Sequence, residues 1–146
     1  MKKAWAGKAG LWLAMSWAWT GMALAQEVTV YKSPTCGCCT KWVKHVEASG
    51  FTVEARDVPD VNPYKQKLGL PLGLGSCHTA VVDGYLIEGH VPAEDIRRLL
   101  HEQPEAKGLA VPGMPMGSPG MEGPRKDLYE VLLIDKEGRT SVYVRH

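Results

Sequence analysis

The chain has 146 residues, of which 45% are hydrophobic and 23% are charged, and its formal net charge is +1 at pH 7. This length suits one compact domain with a modest core. The balanced charge excludes the strongly basic surface by which proteins bind nucleic acid or an anionic membrane.

The first 25 residues have the pattern of an export signal. An uncharged apolar run over 11–22 follows a start made basic by Lys2, Lys3 and Lys8. The run is shorter than the roughly 20 residues that span a bilayer, and it leads to the small-x-small sequence Ala23-Leu24-Ala25. We predict a signal peptide over 1–25, cleaved after Ala25, and a single exported domain over 26–146. Loss of the three lysines changes the formal charge from +1 to −2.

The hydrophobic pattern of the predicted domain alternates between strands and helices. The predicted strands are 28–31, 51–58, 79–82 and 85–87, and the predicted helices are 38–49, 63–68 and 93–102. The order β-α-β-α-β-β-α is that of a thioredoxin-like domain, in which helices flank a central mixed sheet. The pattern by itself indicates a mixed α/β class.

A long segment rich in glycine and proline interrupts this pattern over 108–124. Five glycines and four prolines occupy nine of its seventeen positions, which excludes a helix or an interior strand. The segment also holds every methionine of the predicted domain, Met114, Met116 and Met121. A C-terminal β-hairpin is predicted after it, with strands over 128–134 and 140–145.

All four cysteines lie in two short clusters. Cys36, Cys38 and Cys39 stand at the start of the first predicted helix, where the unpaired N–H groups and the helix dipole favour thiolates. Cys36 and Cys39 have the spacing used in thiol–disulfide exchange. A third adjacent thiol suits a metal site better, because soft thiolates select copper(I), although zinc also accepts four thiolates. Ordinary disulfides with a free cysteine are a further interpretation.

The second cluster, Cys77-His78, is predicted to lie near the first. In a thioredoxin-like fold, the segment before the third strand passes against the start of the first helix, and Cys77 and His78 occupy that segment. Four sulfurs and one imidazole are too many for one tetrahedral ion. The set therefore suits a small multi-copper thiolate cluster.

Secondary candidates surround these clusters. His90 lies in the loop between the last central strand and its helix, beside the predicted site. The thioethers of Met114, Met116 and Met121 are possible ligands for copper(I), and they could equally form an apolar flap over the site.

Four motifs in order resemble the CopG-type periplasmic copper-resistance proteins. They begin at Tyr31 (YKSPTCGCC), Gly75 (GSCHTA), Glu88 (EGHVP) and Pro112 (PGMPMGSPGM). The resemblance implies a thioredoxin-like fold, copper handling in the periplasm, and redox conversion between copper(I) and copper(II), which would make the protein a copper oxidoreductase. It also implies a metal site formed by Cys36, Cys38, Cys39, Cys77 and His78.

The partners expected from this resemblance are copper ions and other periplasmic copper-handling proteins or an electron donor. Neither nucleic acid nor, after cleavage of the signal, a membrane is expected. The alternative function is a thioredoxin-type thiol–disulfide oxidoreductase that uses Cys36 and Cys39. An arsenate-reductase-like enzyme is a related option, but such enzymes work in the reducing cytoplasm, and the export signal disfavours it.

Overall fold

A computed structural model describes residues 26–146 of the chain, so the predicted signal peptide lies outside the described residues. Seven strands and three helices form in this part of the chain. In chain order they are β1 (Glu27–Lys32), α1 (Gly37–Ala48), β2 (Thr52–Asp57), α2 (Asn62–Lys67), β3 (Thr79–Val82), β4 (Tyr85–Glu88), α3 (Ala93–Glu102), β5 (Ala106–Ala110), β6 (Glu130–Asp135) and β7 (Thr140–Arg145). The predicted order from β1 to α3 is confirmed, and so is the C-terminal hairpin.

All seven strands belong to one mixed sheet with the order β2-β1-β3-β4-β5-β6-β7. The β1–β2 and β4–β5 pairs are parallel, and the other four pairs are antiparallel. The predicted α/β class with a central mixed sheet and flanking helices is confirmed, and the arrangement is compatible with a thioredoxin-like fold.

The core lies between the sheet and the apolar faces of α1 and α3. In α1, Trp42 and Val46 are fully buried, as their helical spacing predicts, and the Trp42 indole N–H donates to the Val91 carbonyl at 2.8 Å. In α3, Ile96 and Leu99 are also fully buried. The two helices are thereby fixed against the strands whose ends carry the cysteines.

The sequence pattern does not predict strand β5, because it places residues from 108 onward in the glycine- and proline-rich segment. That assignment is wrong for 108–110, which continue an interior strand between β4 and β6. Gly108 makes this strand possible. A Cβ there would lie 1.8 Å from the Leu86 carbonyl oxygen, and the pairing with β6 is irregular between Ala106 and Gly108.

None of the described helices is long and apolar enough to cross a membrane.

Candidate metal centre

The sheet register brings four chain segments to one edge. Tyr31 pairs with Thr79, so the end of β1 lies beside the start of β3. Thr79 pairs in turn with Glu88 at the end of β4, and Glu88 pairs with Ala110 at the end of β5. The residues just beyond these strand ends are the first cysteine cluster, Cys77-His78, His90 and the glycine- and proline-rich segment. The sheet itself therefore gathers the predicted site residues.

Cys36 and Cys39 are joined by a disulfide bond. Cys36 is the N-cap of α1, and its sulfur accepts a hydrogen bond from the Cys39 N–H at 3.3 Å. Cys36 is half-buried whereas Cys39 is fully buried, so the first sulfur is the accessible one. Both must be reduced before they can act as thiolate ligands.

Cys38 and Cys77 are free thiols that continue the same sulfur cluster. The Cys38 sulfur lies 3.5 Å from that of Cys36 and 3.8 Å from that of Cys77. The two predicted cysteine clusters are therefore brought together, with one donor atom from each of the four cysteines within 4.8 Å of the others.

Cys77 also belongs to a second donor group. Its sulfur lies 3.4 Å from Nδ1 of His78 and 3.0 Å from Nε2 of His90. His90, a secondary candidate in the sequence, is thus as close to the thiols as the predicted ligand His78. Cys77 is shared by the four-sulfur group and by this Cys-His-His group.

The glycine- and proline-rich segment fixes the tautomer of His90. Its Nδ1 lies 2.8 Å from the Pro119 carbonyl oxygen. A carbonyl oxygen only accepts, so Nδ1 carries the proton and Nε2 presents its lone pair to Cys77. A neutral imidazole held in this way is the form that ligates metals.

Burial sets the protonation of the centre. It lowers the pKa of His78 well below its ordinary value, with nearby His90 adding to the effect, and it also lowers the pKa of His90. Burial, followed by the charge of Cys38, raises the pKa of the Cys77 thiol to about 11. At neutral pH both imidazoles are therefore unprotonated bases, whereas the Cys77 thiol keeps its proton.

The surroundings of His78 fit a ligand. Its side chain is fully buried, its ring centroid lies 4.4 Å from that of Trp42, and its Nε2 atom has no hydrogen-bond partner among residues 26–146. An unpartnered buried nitrogen is costly unless something binds it. Thiols and neutral imidazoles together form a donor set suited to copper.

The glycine- and proline-rich segment covers the centre. Gly113 N–H donates to the Gly75 carbonyl at 3.1 Å, and the Ser76 hydroxyl donates to the Gly113 carbonyl. Further along, a Cβ on Gly120 would lie 2.7 Å from the Cys38 carbonyl oxygen. The segment therefore lies directly against both cysteine clusters.

The three methionines of this segment have different surroundings. Met114 is 51% exposed, Met121 is half-buried, and the Met116 methyl group packs against Gly123 within the segment itself. Their predicted role as ligands or as a flap stays a prediction.

The fold and the site together define an α/β protein with a thiol and imidazole centre at one edge of its sheet. Residues 74–121 match the model of a protein family of unknown function, DUF411. A solved structure of a copper resistance protein, CopG (form 2), is similar at 46% sequence identity and a TM-score of 0.81, over 84% of this chain and 99% of that chain. Its form 1 gives 46% identity and a TM-score of 0.80, over 84% and 98%. No curated protein matches the chain.

At this identity and coverage, the chain belongs to the family of the copper resistance protein CopG. The predicted family resemblance is confirmed.

Proposed function

We propose that this protein is a periplasmic copper-binding protein for copper resistance. It holds copper(I) in a multi-copper thiolate cluster whose ligands are Cys36, Cys38, Cys39, Cys77 and His78, with His90 as an additional ligand. Residues 1–25 act as its export signal, and residues 26–146 form the single copper-binding domain.

The position of Cys77 is the observation that carries this proposal. A thiolate can bridge two metal ions, and Cys77 stands where the four-sulfur group meets the Cys-His-His group. One sulfur shared between two donor groups is the arrangement that a cluster needs, whereas a single tetrahedral zinc site would need only one group. The family relationship to a copper resistance protein favours copper as the metal.

The centre also interconverts copper(II) and copper(I) in this proposal. Two copper(II) ions each take one electron from the Cys36 and Cys39 thiolates, which gives two copper(I) ions and the Cys36–Cys39 disulfide. A Cys36–Cys39 disulfide of the kind present in the structure would be the oxidised product, and until it is reduced the copper(I) ions would be held by Cys38, Cys77, His78 and His90. An external electron donor must then supply two electrons and two protons to regenerate the dithiol.

Copper binding by single variants tests the proposal. Fully reduced protein is expected to bind more than one copper(I) per chain, measured by elemental analysis and by anaerobic competition with a chromogenic copper(I) chelator. C38S and H78A should each weaken binding on the order of tenfold or more, because each removes a donor. H101A is the matched control, since His101 is exposed on α3. Absence of copper(I) binding, or binding that C38S leaves unchanged, would contradict the proposal.

A second candidate function is thiol–disulfide exchange by Cys36 and Cys39, and their disulfide favours it. The half-buried Cys36 would accept attack from a substrate thiolate, and the buried Cys39 would leave. The same variants separate the two functions. Insulin reduction that is lost in C36S and C39S but kept in C38S and H78A would support the exchange enzyme.

A further inference from the structure

A buried ion pair lies directly beneath the second cysteine segment. Lys65 in α2 is 7% exposed and Glu88 at the end of β4 is fully buried, and their charged groups are in direct contact. Removing two opposite charges from water carries a large penalty, and well-packed apolar residues of similar volume often stabilise a fold at least as well. The pair therefore calls for a role besides stability.

The remaining hydrogen bonds of the pair reach the main chain on both sides of Cys77. The Lys65 ammonium donates to the His78 carbonyl oxygen at 3.2 Å. The Glu88 carboxylate accepts from the Ser76 N–H at 2.6 Å. Residues 76 and 78 are thus held by the two members of one ion pair, and Cys77 stands between them.

The chain around Cys77 has little regular structure of its own. No helix or strand is formed between α2 and β3, and Gly73 in this stretch has a φ of +85°. Gly89 N–H provides one further anchor by donating to the His78 carbonyl at 3.1 Å. An ammonium with three donors and a carboxylate with several acceptor sites can bind each other and still hold the backbone, which apolar side chains cannot do.

We propose that Lys65 and Glu88 are positioning residues for the metal centre: they fix the backbone of residues 76–78 so that the Cys77 sulfur faces both Cys38 and His90. The inference rests on the proposed function, because its benefit is realised as copper affinity. In this role Lys65 and Glu88 place the Cys77 ligand and do not serve the stability of the fold.

The double variant K65M/E88L tests this, with K67M as the control because Lys67 is exposed on the same helix. The double variant is expected to keep or exceed the wild-type melting temperature, since it buries no charge. Its copper(I) affinity should fall about 10- to 100-fold, the usual effect of losing groups that orient ligands. K67M should match the wild type in both measurements.

Alkylation of the metal-free protein gives a second readout. With the Cys36–Cys39 disulfide intact, Cys38 and Cys77 are the free thiols. We expect the rate at which iodoacetamide modifies Cys77, resolved by peptide mass spectrometry, to change at least severalfold in the double variant, while the Cys38 rate stays close to that of the wild type.

Three outcomes are decisive. A double variant that folds, binds copper(I) within twofold of the wild type and keeps the wild-type Cys77 rate would overturn the positioning role. A double variant that does not fold would also overturn it, because the pair would then serve stability. If wild-type protein binds no copper(I), the proposed function fails, and the Cys77 alkylation rate alone still decides whether the pair positions the thiol.

Discussion

At the scale of single residues, the contact between the Cys77 sulfur and His90 Nε2 is the shortest one between a thiol and an imidazole in the centre. His90 Nδ1 is held by the Pro119 carbonyl, so the Cys77 thiol is the donor in its 3.0 Å contact with His90 Nε2. A metal that binds there replaces this proton. Because metal binding releases this proton, the affinity for the metal depends on pH.

Copper(I) affinity is expected to rise with pH between 6 and 8. The pKa of Cys77 is about 11, raised first by burial, so its thiol must lose a proton on binding throughout this range. Each proton released contributes about a tenfold gain in affinity per pH unit. The pKa values of His78 and His90 are lowered by burial, so protons compete little for these two donors.

Chelator competition at pH 6, 7 and 8 measures the effect. C77S should bind more weakly and show a shallower dependence on pH, whereas H101A should follow the wild type. A wild-type affinity that is constant over the range would show that Cys77 is already deprotonated or is not a ligand.

At the scale of elements, the glycine- and proline-rich segment acts through close backbone contact. A Cβ on Gly120 would lie 2.9 Å from the main-chain nitrogen of Trp42 in α1 and 3.3 Å from His90 Nδ1, in addition to its contact with the Cys38 carbonyl. A side chain at this position would push the segment away from both cysteine clusters. The hydrogen bond that sets the His90 tautomer would then be lost.

The substitutions G120A and G113A should have different effects on the metal centre. Both glycines have positive φ, +88° and +68°, so each alanine should cost about 1–2 kcal/mol in backbone strain. Only G120A introduces a clash, because no atom of the described part of the chain lies within 4 Å of a Cβ at Gly113. We expect G120A to weaken copper(I) binding about tenfold and G113A to leave it within twofold, in chelator competition on folded protein. Equal copper(I) affinities of G120A and G113A would show that the glycine- and proline-rich segment does not influence the metal centre.

At the scale of the whole molecule, buried neutral histidines link stability to pH. Burial lowers the pKa of His45, His78 and His90. His45 in α1 accepts a hydrogen bond from the Ala93 N–H at 3.1 Å and so caps the start of α3 from another helix. Protonation of His45 would remove that acceptor.

The melting temperature is therefore expected to fall as the pH drops below about 6.5, the pKa of unfolded histidine. The unfolded chain binds more protons than the folded chain in this window, so the stabilisation that is present above it is lost on acidification. H45Q keeps an acceptor without titrating. Its melting temperature should change less than that of the wild type between pH 7.5 and 5.5 in thermal unfolding followed by circular dichroism, and identical curves would exclude His45 as a contributor.

Much of this architecture was predictable because it depends on local patterns. Helix α3 and strand β7 have the predicted bounds, and the start of α1 is marked by its cysteines. The sequence does not predict strand β5, because a glycine at 108 usually argues against an interior strand and the close approach of the Leu86 main chain that requires it is visible only in the fold. Nothing in the sequence around Lys65 marks it as buried.

The candidate site was predictable in its composition and only partly in its arrangement. The clustering of Cys36, Cys38 and Cys39 and the pairing of Cys77 with His78 are visible in the sequence. The contact between His90 and Cys77 arises from the pairing of β3 with β4, and the Cys36–Cys39 disulfide was one of several open pairings. Such features depend on distances between segments that the linear pattern does not contain.

The assembly of donors by strand register has a consequence for folding. An unfolded chain offers a metal two separate local groups, the thiols of residues 36–39 and the Cys77-His78 pair, because these groups and His90 come together only when β1, β3 and β4 have paired. The three thiols of residues 36–39 could bind a first ion before folding. The Cys77 sulfur can join the four-sulfur group and the Cys-His-His group only in the native sheet. The complete cluster of the proposed function would therefore form only in the folded state, and its binding energy would add to the stability of that state.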